Sequence, residues 1–324
     1  MKINDIFKLI APEMAEVNTC FDRYMTSRIG IVSRLTGYVG SQAGKRLRPA
    51  LLLLAGRMLG HQGNGLPPLG ALVEVIHTAS LVHDDIIDDA GTRRGQPSVN
   101  AAFGNHMSVL LGDWLYMTAF QLAVDQRHFG ILDLLMDVSR RMVEGEMIQL
   151  EQIGRADVLP ELSLDIAARK TAHLFSAACA LPALATHQPE AIVRRMTAIG
   201  LNLGMAFQLV DDALDYTGDA KQFGKPVMGD LREGKVTLPV IYLLQAGDPE
   251  HRRMIETILT EQDFRTYSTG ALLEALREHG CLERTEAAAR DFVARAREDV
   301  LTFDPSPYRD AFLTIADFIL DRRY

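Results

Sequence analysis

Leu81-Val82-His83-Asp84-Asp85-Ile86-Ile87-Asp88-Asp89-Ala90-Gly91-Thr92-Arg93-Arg94-Gly95 closes a long apolar run with four aspartates and follows them with two arginines. Read as a helix, Asp84 and Asp88 lie one turn apart on the same face, with Asp85 beside them. Carboxylates crowded in this way repel, and without a cation at least one is pushed towards its protonated form. Paired carboxylate oxygens suit a hard cation such as Mg²⁺, which keeps several waters and shares its remaining positions with phosphate oxygens. Arg93 and Arg94 are forked donors suited to phosphate. The plainer alternative is a solvated acidic helix end followed by a basic turn.

Outward from this stretch, apolar residues recur at three- and four-residue spacing and alternating runs are scarce, which predicts an all-α chain. Helices are expected over Ile3 to Tyr38 (one or two), Ala50 to Leu59 with Pro49 in the first turn, and Pro67 to Asp89. After a loop at Gly91 to Gly95, helices follow over Val99 to Val124 and Phe129 to Ile153. Pro160 breaks the chain, Leu162 to Ala180 is helical, and Pro182 and Pro189 mark the exit. Ala191 to Tyr216 is apolar around most of its circumference and should be buried. Thr217 to Lys235 is the longest polar loop, with four glycines, and a loop of that length is more often functional than idle. Helices resume over Thr237 to Gln245, in segments across Asp248 to Phe303, and over Asp310 to Asp321. No composition shift marks a linker, so residues 1–324 read as a single domain.

The 34 basic and 42 acidic side chains leave a net charge of −8, which argues against a nucleic-acid binder with a basic face. It does not argue against phosphate-bearing substrates, because bound metal inverts the local sign. Cys20, Cys179 and Cys281 are widely separated, with no metal-ligand spacing, so a reducing, cytoplasmic setting without structural disulfides is expected. Asp5, Glu13 and Glu16 exclude a signal peptide from the first thirty residues. No run reaches the apolar length expected of a transmembrane segment.

The aspartate pattern occurs twice. Phe207-Gln208-Leu209-Val210-Asp211-Asp212-Ala213-Leu214-Asp215-Tyr216 puts Asp211 and Asp215 on one face, with Gln208 a turn earlier. Helices this apolar bury their faces, and charges there need partners or metal. A helical bundle can bring two such clusters to face each other across a cavity. Lys45, Arg46 and Arg48, then Arg93 and Arg94, then Lys170, and finally Lys225 and Lys235 supply the cations that two diphosphates would need. Lys170 stands out because its flanks, Ala167 to Ala178, are otherwise apolar.

Five blocks now stand in order: Gly44-Lys45-Arg46-Leu47-Arg48-Pro49, the Asp84 to Asp88 run with Arg93-Arg94-Gly95, Lys170-Thr171-Ala172-His173-Leu174-Phe175, Phe207 to Tyr216, and Gly224-Lys225-Pro226-Val227-Met228-Gly229-Asp230-Leu231-Arg232-Glu233-Gly234-Lys235. In this the chain resembles the trans-isoprenyl diphosphate synthases, also called polyprenyl synthetases. The resemblance implies an all-α single-domain bundle around a deep central cavity, usually a homodimer. It implies Mg²⁺ on Asp84 and Asp88 with Asp85 supporting, and on Asp211 with Asp212 and Asp215 acting through water or orienting. It assigns Arg93, Lys170, Thr171, Gln208, Lys225 and Lys235 to an allylic diphosphate primer. It assigns Lys45, Arg48, His77 and Arg94 to isopentenyl diphosphate. His77 lies two helical turns before Asp84, so the spacing permits this, although a core histidine with a backbone partner fits the same position.

The activity so implied is head-to-tail condensation of isopentenyl diphosphate with an allylic diphosphate. Ionisation of the allylic C–O bond builds charge on the leaving diphosphate, where cations stabilise it most. The carbocation needs an apolar cavity closed to water, and Thr217 to Lys235 is the expected lid. Product length should depend on what lies below Asp84. Ala79 and Ser80 are small where short-chain members of the family carry a bulky aromatic. A long-chain, octaprenyl-type product is therefore expected, with the floor set lower by residues such as Leu72, Met117, Leu135 or Met136. The alternatives are a short-chain farnesyl or geranylgeranyl diphosphate synthase, a class I terpene cyclase, and a non-catalytic subunit. The second aspartate cluster and the Gly44 to Pro49 block count against the cyclase. The presence of all six aspartates counts against the subunit.

Overall fold

The structure is a computed structural model that describes residues 3–41, 44, 46–218 and 227–322. It is helical almost throughout, as the periodicity predicts. The first segment forms three helices, α1 (Ile3–Leu9), α2 (Ala11–Tyr24) and α3 (Gly30–Ser41). They are followed by α4 (Leu47–Met58) and α5 (Leu66–Ile87). Pro49 lies in the first turn of α4, where its missing N–H costs nothing.

The residues after α5 are a miniature hairpin rather than a plain loop. Strands β1 (Thr92–Arg93) and β2 (Gln96–Pro97) pair antiparallel, with Arg93 opposite Gln96. The two linking residues, Arg94 (φ 53) and Gly95 (φ 77), both take positive φ, as a two-residue hairpin turn requires. The turn was missed because a non-glycine residue fills its first left-handed position.

The expected single helix from Val99 to Val124 is two, α6 (Val99–Phe103) and α7 (Asn105–Asp125), parted by Gly104 at φ 84. By length and composition alone α7 is apolar enough to cross a membrane, a run that the sequence reading passed over. Its buried side, including Leu111, Leu115 and Ala119, packs on α5. Helix α8 (Phe129–Glu151) follows.

Pro160 does not break the chain but opens helix α9 (Pro160–Ala167), and Pro182 lies inside α10 (His173–Ala185) rather than ending it. Between them a π turn spans Ala168–Ala172. Helix α11 (Glu190–Thr217) is the longest. The predicted lid lies partly outside the described residues. Its described part holds a four-residue helix, α12 (Gly229–Arg232). Helices α13 (Leu238–Gln245), α14 (Pro249–Glu261), α15 (Thr269–Glu278), α16 (Cys281–Leu301) and α17 (Pro307–Leu320) complete the chain.

The chain divides into two compact units. Unit 1 comprises Met1–Ser139, Leu174–Gly200 and Asp299–Thr314, and unit 2 comprises Arg140–His173, Leu201–Glu298 and Ile315–Tyr324. The divisions fall inside helices, not in linkers. The core of unit 1 gathers Leu51 to Leu54 of α4, Leu69, Leu72 and Ile76 of α5, and Leu174 and Phe175 of α10. Gly200 lets α11 reach α10, since a Cβ there would stand 2.4 Å from the Phe175 carbonyl oxygen. The core of unit 2 gathers Tyr216, Leu231, Ile241, Ile255, Ile258 and Leu276.

Candidate active site

In unit 1 the first aspartate cluster forms the end of α5. Asp88 is the residue that closes the helix, and its N–H donates to the Asp84 carbonyl at 2.8 Å. The carboxylates thus stand at the negative pole of the helix, which adds to their demand for a cation. Asp84 and Asp88 are half-buried, whereas Asp85 is buried. Arg93 grips Asp85, with Nε 2.8 Å from both carboxylate oxygens and Nη2 2.6 Å from Oδ1. Asp85 is therefore the anchor for the hairpin.

Arg46, at φ 52 before α4, pairs with buried Glu74 at 2.8 Å and lies over the Phe21 ring. Arg48 lies over the Phe175 ring. Gly44 leaves room for Arg94, since a Cβ there would stand 2.5 Å from its guanidinium. A cavity is lined by Arg46, Arg93, Arg94, Glu74, Asp85 and Thr78. Burial, and then the charges of Arg48, Arg94, Arg93 and Arg46, hold His77 well below the ordinary imidazole range. Two of these arginines are paired within the same region, Arg46 with Glu74 and Arg93 with Asp85, so cationic and acidic groups alternate around the cavity. Lys45 lies outside the described residues.

Ala79 is fully buried, and Ser80 Oγ donates to the His77 carbonyl at 2.9 Å. Of the suggested floor residues, Leu72 and Leu135 are buried, but Met117 (62% exposed) and Met136 are on the surface. Apolar character alone does not separate a core position from an outward face. Tyr116 of α7 was not anticipated. Burial and the charge of Asp84 push its phenol up.

In unit 2 the second cluster lies on α11. Asp211 pairs with Arg322 at 2.9 Å, and Arg322 covers the Phe207 ring. Gln208 donates to Asp212 at 2.8 Å and accepts from the Thr171 hydroxyl at 2.6 Å. Asp215 accepts from the N–H groups of Gly229 (3.0 Å) and Asp230 (3.2 Å), so it caps α12. Burial and the neighbouring Asp230 push Asp215 up to about 7. Burial, Asp230, Asp211 and Asp215 push Asp212 well above the carboxylate range, although the Gln208 hydrogen bond opposes this.

Carboxylates so strained towards protonation suit a divalent cation, and Mg²⁺ fits this donor set. Among the described residues no three His, Cys, Asp or Glu side chains are gathered tightly enough to hold a metal by themselves. Mg²⁺ binds by one or two carboxylates together with water and substrate phosphate, so it does not need such a cage. Asp230 and Arg322 were not anticipated. The only trace of Asp230 was its place in the last of the five blocks, whereas Arg322 gave no signal.

Lys170 sits in the π turn, with Nζ 2.5 Å from Glu146 and donating to Gln149. Lys235 pairs with Glu233 at 2.7 Å. Lys225 lies outside the described residues.

The sequence matches the family described as Polyprenyl synthetase over residues 30–276. It is 36% identical over 322 residues to the octaprenyl diphosphate synthase of Escherichia coli (strain K12), covering 99% of each chain. The crystal structure of a polyprenyl synthase from Caulobacter crescentus CB15, solved with calcium and isoprenyl diphosphate, superposes with a TM-score of 0.94 at 33% identity, covering 100% of this chain and 98% of that one. A decaprenyl diphosphate synthase from Rhodobacter capsulatus gives 0.93 at 34% identity over 99% of both chains. With a match across three-quarters of its length and relatives collinear from end to end, the chain belongs to the polyprenyl synthetase family.

Proposed function

We propose that this trans-prenyltransferase joins isopentenyl diphosphate head-to-tail to an allylic diphosphate, with Mg²⁺, and repeats the step to a long all-trans polyprenyl diphosphate. The observation that carries the proposal is the cavity lined by Arg46, Arg93 and Arg94, beside the end of the helix on which His77 precedes the half-buried Asp84 and Asp88 by two turns. It supplies an anion site and a cation site along α5.

Asp84, Asp88 and Asp211 are the Mg²⁺ ligands, while Asp85, Asp212 and Asp215 hold other groups in place. Bound Mg²⁺ supplies charge neutralisation of diphosphate oxygens as the allylic C–O bond breaks. Arg93, Lys170, Lys225 and Lys235 add fixed positive charge towards the leaving diphosphate, and Thr171 and Gln208 order the surroundings of Asp212. Lys45, Arg48, Arg94 and neutral His77 hold isopentenyl diphosphate, so that its double bond attacks the allylic carbon without an entropic search. The C2 proton lost afterwards goes to the departed diphosphate, a base that the reaction itself supplies.

The small buried Ala79 supports a long product. The placement of the divisions inside helices supports one functional domain over residues 1–324. The protein works as a homodimer. Leu110, Met117 and Val124 of α7, and Phe129, Met136, Val143 and Leu150 of α8, are exposed at seven-residue intervals, the spacing of a face that packs on other helices. Three unpaired cysteines fit a reducing, cytoplasmic setting.

Asp84→Ala tests the reading. Turnover with isopentenyl diphosphate and an allylic primer should fall by about a hundredfold or more, as it should on chelating Mg²⁺. Unchanged turnover of the variant would remove Asp84 from the metal site.

A further inference from the structure

The π turn at Ala168–Ala172 hands three successive side chains to separate sets of partners. Arg169 pairs with Glu144 of α8 at 2.8 Å and with Asp165 at 2.7 Å. Lys170 pairs with Glu146 of α8 at 2.5 Å and donates to Gln149, one turn further along the same helix. Thr171 turns the other way and donates to Gln208, which in turn holds Asp212. In an unbroken α-helix three consecutive residues fan out at regular intervals, and the π turn resets that register, as such insertions often do at functional sites. Gly145 permits the close approach of α8, because a Cβ there would stand 2.6 Å from Arg169 Cβ and 3.1 Å from Lys170 Cγ.

The Lys170 side chain is 23% exposed and that of Glu146 12%. A lysine loses much rotamer freedom when it is fixed, and a flexible ammonium gives up that freedom during the reaction unless it is ordered beforehand. Its nitrogen carries three donors. Two are taken, by a carboxylate and an amide oxygen on one helix, and the third has its direction set by the other two. The carboxylate lowers the net positive charge that Lys170 offers, so the arrangement trades charge for position.

We infer that Glu146 and Gln149 are positioning residues for Lys170, which aim its remaining N–H at the leaving diphosphate. This rests on the role proposed above for Lys170. The sequence reading singled out neither residue, and both lie far from Lys170 along the chain.

The test is steady-state kinetics on the full-length protein with Glu146→Ala, Glu146→Gln and Gln149→Ala, each alone and combined with Lys170→Ala. Glu146→Ala should lower kcat about ten- to a hundredfold, the cost of misplacing a group by roughly an ångström, with KM for isopentenyl diphosphate unchanged. Glu146→Gln keeps an acceptor oxygen and should recover most of the rate. In the Lys170→Ala background the Glu146→Ala substitution should cost nothing further. The inference is overturned if Glu146→Ala stays within about twofold of the parent, if the two costs add, or if KM for isopentenyl diphosphate moves as much as kcat. Should Glu146→Ala fail to fold, the Gln149→Ala cycle decides in the same way. A parent protein that makes no prenyl product would instead sink the function proposed above.

Discussion

Burial and the charges of four arginines oppose protonation of His77 in the folded chain, and that has a price in acid. His77 is held well below its ordinary range, so below pH of about 6.5 the unfolded chain binds a proton that the folded one refuses. Stability contributed at neutral pH is therefore lost as pH falls from about 6.5 towards the depressed folded value, with a slope of at most about 1.4 kcal/mol per pH unit from this residue. Denaturation midpoints between pH 5 and 8 should show the loss, and His77→Gln should flatten it. A slope unchanged in the variant would place the titration elsewhere. At this scale the sequence was legible where chemistry repeats locally. The two aspartate triads and the arginine pair could be read from spacing. The partners of the charged residues could not, because Glu74 meets Arg46, Glu146 meets Lys170, Asp230 meets Asp215 and Arg322 meets Asp211 only through the fold.

Helix α5 carries His77 near its middle, the aspartates at its end and Ala79 between them. Its apolar periodicity made it legible, including nearly both ends. What escaped was the hairpin beyond it, whose turn depends on a left-handed Arg94, and the π turn before α10, which has no compositional mark. The same helix is proposed to line the path of the product. Ala79→Phe should therefore shorten the product distribution, at a cost of about 1–3 kcal/mol for overpacking a fully buried position. Mass analysis of products from the variant checks this, and an unshifted distribution would take α5 out of the tunnel wall.

For the whole molecule, the exposed apolar faces of α7 and α8 are the feature that a single chain leaves unexplained. Both helices were legible, but their outward faces were not, since core and interface residues share one chemistry. Met117 and Met136 were accordingly misplaced as floor residues. Leu110→Glu with Met117→Glu should convert the proposed dimer to a monomer in light scattering, and a dimer that persists would move the proposed interface elsewhere. The central claim is the activity itself. The full-length protein, incubated with isopentenyl diphosphate, Mg²⁺ and a set of allylic primers, should yield all-trans polyprenyl diphosphates well beyond geranylgeranyl length by mass analysis, and nothing when the metal is chelated. Products that stop at farnesyl or geranylgeranyl diphosphate would contradict the long-chain assignment, and the absence of any condensation product would contradict the account as a whole.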